Sequence, residues 1–200
     1  MEVLNNNNAI ISGKVISDYK YYHSTLGEDF FITDIEVKRK SGEVDILPVV
    51  VSEKLLENGI KESEYVKFIG QIRTYNKKDG KVEIYLFAKD TEVSDENTFV
   101  NQVKLKGFLC KKGKYRTTFT KRKVLDFIIA VNRAYYKSDY IPVISWGTDA
   151  KYVNSKDVAT EFEITGRFQS RKFIKKDVDG NKEEKTAFEI SASQVIIADK

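Results

Sequence analysis

Apolar and polar residues alternate along most of this chain of 200 residues, in runs that have the length of β-strands. The alternation is clearest over residues 31–37 and 124–132, where nearly every second residue is apolar. A period of two is typical of strands that bury one face and expose the other. The pattern therefore predicts a protein built mainly of β-sheet.

The two halves of the chain carry the same pattern at a nearly constant spacing. The only two prolines, Pro48 and Pro142, lie 94 residues apart, and the same offset aligns the first three strand-like runs of each half. Each half also has an Asp-Gly pair, at residues 79–80 and 179–180, which predicts a hairpin turn between its last two strands. The later strands of the two halves align after short insertions in the second half, and these insertions fall between strands, where loops tolerate them. We therefore predict that the two halves arose by duplication.

Each repeat predicts five strands, with a helix after the third. In the first repeat, Ser52 suits the N-cap of this helix and Gly59 suits its C-terminal stop, whereas the matching residues 148–155 give a weaker helix signal. Five strands with one helix after the third describe an OB-fold, a small Greek-key barrel that often binds oligonucleotides. The predicted fold class is all-β, with a degenerate OB-fold over residues 1–96 and a second OB-fold over residues 97–200.

Few residues of the chain could perform catalysis. There is one histidine, His23, expected in a loop, and one cysteine, Cys110, expected to be a small packing residue. Asp126 and Asp139 are expected to be solvated charges at strand edges, although such carboxylates could also serve a metal-dependent nuclease. With so few nucleophiles, bases and metal ligands, we predict a protein that is not an enzyme and that has no cofactor or metal.

The net charge of +4 is unevenly distributed. Residues 1–97 hold 13 Lys and Arg against 18 Asp and Glu, a net charge of −5, and residues 98–200 hold 21 against 12, a net charge of +9. A polyanion is therefore expected to bind the second half. The chain has no membrane-spanning apolar run, no secretory signal and no pair of cysteines, so the expected compartment is the cytoplasm.

Aromatic rings and cations lie close together in the second half. A ring can stack on any base, and a cation beside it can contact the phosphates. Tyr135 and Phe173 have polar neighbours near strand ends, which predicts exposure, whereas Tyr140 and Trp146 suit either the core or a binding face, and we assign them to the binding face. The candidate nucleic-acid-binding residues are Arg133, Tyr135, Lys137, Tyr140, Trp146, Arg167, Arg171, Lys172, Phe173 and Lys175, with Arg73, Tyr75, Lys77 and Lys78 as weaker candidates in the first repeat.

Four motifs of the second repeat resemble the bacterial single-stranded DNA-binding protein family. They are Val131-Asn132-Arg133, Asp139-Tyr140-Ile141-Pro142, Trp146-Gly147 and the segment from Gly166 to Phe173. The resemblance covers most of residues 100–197 and implies an OB-fold, four OB-folds acting together, and bases stacked on exposed rings. It places the stacking rings at Tyr135, Tyr140, Trp146 and Phe173, with Arg133, Arg167 and Arg171 nearby.

The chain departs from the family pattern in two ways. The first repeat has Ser41, Ile46, Ser52 and Lys77 where the second has its four rings. We therefore expect the first repeat to bind weakly or to serve in assembly. The chain also ends at Ala198-Asp199-Lys200, without the acidic tail and terminal Phe of the family, so recruitment of other proteins by such a tail is not expected.

The sequence thus predicts sequence-tolerant binding of single-stranded DNA in replication, recombination or repair, by a homodimer that presents four OB-folds. Two alternatives stay open: an oligomerisation or protein-interaction module of the primosome kind, and a binder of single-stranded RNA. Exposure of Tyr135 and Phe173, the latter beside Arg171, would favour the nucleic-acid binder over the interaction module.

Overall fold

The structure is a computed structural model that describes residues 5–57, 59–61, 63–77, 82–176, 180 and 182–198, without the side chains of residues 175 and 176. Most of the described chain is β-strand, which confirms the all-β prediction. Apart from Gly180, the two predicted Asp-Gly turns lie outside the described residues. No helix in the described part is long and apolar enough to span a membrane.

The first repeat has six strands because its opening strand is divided in two. The elements are β1 (Asn7–Val15), β2 (Lys20–Thr25), β3 (Glu28–Lys38), β4 (Val44–Ser52), α1 (Glu53–Leu56), β5 (Tyr65–Asn76) and β6 (Val82–Val93). Neighbouring strands close a barrel in the order β1-β5-β6-β4-β3-β1, with β4 and β6 parallel and the other pairs antiparallel. This circuit of five strands is the predicted Greek-key barrel.

The second repeat forms the same barrel with an undivided opening strand. Its elements are β7 (Asn101–Thr117), β8 (Lys123–Asn132), β9 (Ser138–Trp146), α2 (Gly147–Asn154), β10 (Glu161–Lys176) and β11 (Lys182–Ile197). A β-carbon on Gly107 would clash with the carbonyl oxygen of Ala130. In the first repeat, a β-carbon on the equivalent Gly13 would clash in the same way with the carbonyl oxygen of Glu36, which is the equivalent of Ala130. Both barrels therefore need glycine at the same close approach of two strands.

The relative lengths of the two helices reverse the expectation. α1 has four residues and buries none of them, and Ser52 makes no side-chain cap. The helix ends at Leu56, earlier than predicted, and Gly59 follows it with a φ of +86°. α2, the weaker signal, has eight residues because Ala150 and Val153 pack into the barrel core. Packing of a buried face stabilises a short helix more than its propensity does.

The two barrels share one hydrophobic core and one continuous sheet. β1 and β7 pair antiparallel, and at the centre of the ladder Ala9 lies opposite its own equivalent, Val103. A two-fold pseudo-symmetry axis therefore passes through this pair. Ala9, Ile11, Val103 and Leu105 are all buried in the core cluster that spans both repeats.

Two buried carboxylates hold the repeats together in a reciprocal way. Asp45 of the first repeat accepts hydrogen bonds from the Ser170 backbone N–H at 2.7 Å and from its hydroxyl at 3.0 Å. Asp139, its equivalent 94 residues later, accepts them from the Thr74 backbone N–H at 2.8 Å and hydroxyl at 3.2 Å. Both Asp side chains are fully buried, so the expectation that Asp139 is a solvated charge is wrong.

Three other expectations about single residues are also wrong. His23 lies in β2 rather than in a loop, and its ring stacks on Phe30 with 5.0 Å between centroids. Cys110 is exposed on β7 rather than packed, because its side chain lies on the outer face of that strand. Asp126 is an ion pair with Arg116 rather than a freely solvated charge.

The first prediction concerns the acid stability that Asp45 provides. Burial alone would raise the pKa of Asp45, but hydrogen bonds from Arg39 and Ser170 outweigh burial and hold it below its ordinary value of 3.8. A lowered folded-state pKa stabilises the protein above pH 3.8, and that stability is lost as the pH falls through the folded pKa. Asp45→Asn should therefore lower the free energy of unfolding by about 1–3 kcal/mol at pH 7 and flatten its acid dependence.

Urea unfolding at pH 7 and at several values below 3.8 would test this. Asp34→Asn is the matched control, since Asp34 is an exposed carboxylate on the neighbouring strand. Equal acid dependence in both variants would contradict the assignment of this stability to Asp45.

Candidate nucleic-acid interface

The outer face of β8 and β9 carries two of the predicted rings. In the antiparallel register, Tyr140 lies opposite Ala130 and Trp146 lies opposite Val124. Tyr140 is half exposed, and Trp146 is partly buried. Residues on β8 that alternate with Val124 and Ala130, such as Ile129, point into the barrel. Tyr140 and Trp146, which lie opposite Ala130 and Val124, are therefore on the outer face of the sheet.

The outer face of β10 carries a row of polar side chains that ends in a ring. Arg167, Gln169, Arg171 and Phe173 alternate along it, opposite to the inward-pointing residues of the same strand. Arg167 donates to the Gln169 amide oxygen at 3.1 Å. Arg171 pairs with the buried Glu189 and lies 5.9 Å from the centroid of the Phe173 ring, which is 37% exposed. Phe173 is thus exposed beside Arg171, as the nucleic-acid hypothesis requires.

A polar groove of about 650 Å³ lies between β9, β10 and β11. Its wall includes Trp146, and the Arg122 guanidinium lies 5.7 Å from the centroid of that ring. Burial raises the pKa of Asp149, the carboxylate in the wall, above its ordinary value. Four arginines line the groove: Arg39 of the first repeat and Arg122, Arg167 and Arg171 of the second.

Several residues of this surface were missed in the sequence. Lys123 lies 5.7 Å from the centroid of the Tyr115 ring, which makes a third ring–cation pair on the second repeat. Phe119 is fully exposed in the loop before β8, beside the basic run that contains Arg122. That basic run next to an aromatic residue was the signal that could have identified them.

The remaining candidates of the second repeat lie in different surroundings. Arg133 donates to Asp139 at 3.2 Å, so it supports the contact between the repeats. Lys137 and Tyr135 are exposed in the loop between β8 and β9. Lys172 is exposed and pairs with Glu184 on β11 at 3.0 Å. The side chain of Lys175 lies outside the described residues.

The matching face of the first repeat is filled rather than open. Phe87 stands where the second repeat has Ser191 of the groove wall, and Tyr85 stands where it has Glu189, since the parallel ladders β4–β6 and β9–β11 align. The lost rings are replaced by others that pack on one another: Tyr22, His23, Phe30, Tyr85 and Phe87. The groove arginines Arg122, Arg167 and Arg171 correspond to Glu28, Gln71 and Tyr75.

The weaker candidates of the first repeat do not form an open site. Arg73 is mostly buried, 3.6 Å from an Asp139 oxygen and 5.7 Å from the Phe87 centroid, and burial lowers its pKa. Tyr75 is half exposed, and Lys77 pairs with Glu83. Lys78 lies outside the described residues.

Comparison with known proteins gives the second repeat a family. Residues 100–197 match the single-strand binding protein family. The match assigns the second repeat, rather than the whole chain, to this family. The first repeat lies outside the matched residues, which agrees with the sequence resemblance being strongest in the second repeat.

Similar solved structures share the tandem fold. The wild-type single-stranded DNA binding protein from Thermus aquaticus has a TM-score of 0.75 and 15% identity, over 97% of this chain and 93% of that one. A deletion mutant of the same protein gives 0.73 and 16%, over 97% and 95%. Because these identities are low, the likeness concerns the fold alone, and it supports two OB-folds in tandem.

A third structure covers less than half of this chain. The N-terminal domain of PriB protein from Thermoanaerobacter tencongensis, described as dimeric, is 35% identical over 45% of this chain and 98% of that one, with a TM-score of 0.41. Among curated protein sequences, no significant match was found.

Proposed function

We propose that this protein binds single-stranded DNA with little sequence preference, through the outer face of its second repeat. The observation that carries the proposal is the open groove in which Trp146 lies among four arginines. Stacking uses the flat face of a base, and phosphate contacts use the backbone, so neither contact reads the base edges. The match of residues 100–197 to the single-strand binding protein family supports the same function.

The proposed DNA path follows the rings of the second repeat. Tyr140 and Trp146 are six residues apart on one strand, which separates them by about 20 Å. Arg122, Arg167 and Arg171 lie along the groove beside Trp146, and Phe173 extends the row on β10. We propose that bases stack on these rings while the arginines neutralise the phosphates.

The first repeat is proposed as a support for this site rather than a second equal site. Its rings pack on one another and Phe87 occupies the position of a groove serine, so a base has little open space there. Its net charge of −5 also disfavours a polyanion. The proposed role of Arg73 and Arg133 is to hold Asp139 between the repeats.

The setting that we propose is the cytoplasm, where replication, recombination and repair expose single strands. The protein would act by coating these strands without catalysing a reaction. A duplex hides the faces of its bases, so coating would be selective for single strands.

The second prediction is selectivity for single strands. Fluorescence of Trp146, the only tryptophan, should respond to poly-dT at far lower concentrations than to duplex DNA, and the affinity should fall steeply with salt. A parallel titration with poly-U compares RNA with DNA. Equal affinity for duplex and poly-dT would contradict stacking as the mode of binding.

The third prediction concerns Phe173. Phe173→Ala should weaken poly-dT binding by about 1–3 kcal/mol, because one stacked base is lost. Tyr21→Ala is the matched control, since Tyr21 is an exposed ring on the first repeat, and it should leave the affinity unchanged. Equal losses in the two variants would argue against a site confined to the second repeat.

The fourth prediction is the oligomeric state. We propose a homodimer, because one chain supplies two of the four OB-folds that the family resemblance implies and two-fold dimers are the commonest oligomers. The apolar residues Leu47, Val49 and Val51 of β4 belong to the core of the first barrel, so they are not available for this interface. Light scattering without DNA should give twice the 23.0 kDa of one chain, and a mass of one chain would refute the dimer.

A further inference from the structure

We propose that Tyr136 adds a second base-stacking ring beside Tyr135, which the family resemblance already implied, and that this two-ring tip extends the single-strand path beyond Tyr140. This inference rests on the proposed function and adds to it a residue and an end to the path. The tip is the loop of residues 133–137 between β8 and β9.

The first repeat contains the same loop with different residues. In the second repeat the Arg133 N–H donates to the Lys137 carbonyl at 2.7 Å. In the first repeat, the Arg39 N–H donates to the Glu43 carbonyl at the same distance. Arg39 and Glu43 are the equivalents of Arg133 and Lys137 at the offset of 94 residues. The two loops therefore have equal length and the same closing hydrogen bond.

The two loops differ in which residues adopt a left-handed backbone conformation. Gly42 takes a φ of +89° in the first repeat, which is the usual way to end a three-residue hairpin loop. Its equivalent Tyr136 has a φ of +56°, and Tyr135 before it has a φ of +60°. Left-handed backbone is unfavourable for a bulky side chain, so turn formation does not explain two successive tyrosines here.

Packing does not explain the tyrosines either. The Tyr135 side chain is 77% exposed and the Tyr136 side chain is fully exposed. Within the described part of the chain, neither ring contacts another ring or a cation, and neither hydroxyl makes a hydrogen bond. Exposed rings held by a strained backbone are typical of a binding surface.

The position of the tip favours a nucleic acid as its ligand. The tip continues the two strands whose outer face carries Tyr140, and the exposed Lys137 lies between the tip rings and Tyr140 along the chain. Rings alternating with a cation are the pattern that binds a single strand. The equivalent loop of the first repeat, with Ser41 and Gly42, lacks rings, in agreement with the filled face beside it.

The test is Tyr136→Gly in the full chain, which places the residue of the first repeat at the equivalent position. We expect the affinity for poly-dT to fall about tenfold, the loss of one stacked base, while the melting temperature rises because the backbone strain is relieved. Tyr135→Ser with Tyr136→Gly, which reproduces the first-repeat tip, should weaken binding further.

Leu26→Asn is the matched control. Leu26 is also fully exposed at a hairpin turn with a positive φ, of +53°, but it lies in the first repeat. This variant should raise the melting temperature and leave the affinity for poly-dT unchanged, because asparagine tolerates the left-handed conformation. It separates the effect of relieved strain from the effect of a lost ring.

The outcomes distinguish this inference from the proposed function. Unchanged affinity of Tyr136→Gly, with the loss in Phe173→Ala preserved, would overturn the inference and leave the function, and would indicate that the tip serves another partner. A lower melting temperature of Tyr136→Gly would also overturn it, because the ring would then support the fold. Failure of the wild-type protein to prefer single strands would instead refute the proposed function.

Discussion

The reciprocal burial of Asp45 and Asp139 is the constraint on which the rest of the structure depends. Each carboxylate bonds to the backbone of the other repeat, and an unpaired buried charge is strongly destabilising. Separating the repeats would therefore remove the Ser170 and Thr74 donors, and each buried carboxylate would keep only the arginine of its own repeat. The same contact brings Arg39 into the groove of the second repeat, so the groove is complete only in the joined chain.

The two barrels share the same strand pairings, and their outer faces differ mainly through their side chains. The strands, the close approaches at Gly13 and Gly107 and the parallel pairings are equivalent, but the groove of the second repeat has Ser191 where the first has Phe87. A serine leaves space beside Trp146, whereas a phenylalanine packs on Phe30 and closes its face. This difference is the reason for our proposal that one barrel binds the strand while the other contributes stability and position.

The sequence predicted the fold well because strand alternation and the offset of 94 residues are local or periodic signals. It predicted the exposure of Tyr135 and Phe173 from their polar neighbours, and the structure places both rings at the surface. It could not predict that Asp45 reaches Ser170, since nothing in a local pattern marks a contact between residues 125 positions apart. It missed Tyr136 because its significance lies in a backbone conformation, and α2 because its stability comes from packing.

The symmetry of the duplication is kept where the repeats meet and lost where they face solvent. Arg39 and Asp45 are matched by Arg133 and Asp139, and the side chain of Asn7 bonds to β5 as its equivalent does to β10. In contrast, the three arginines that the second repeat contributes to the groove and the two tyrosines of the tip are replaced by other residue types in the first repeat. A contact across a pseudo-two-fold axis restrains both repeats at once, because changing either residue leaves its hydrogen-bonding partners in the other repeat unpaired. An outer face has no such partner, so one repeat is free to open a groove while the other fills its own.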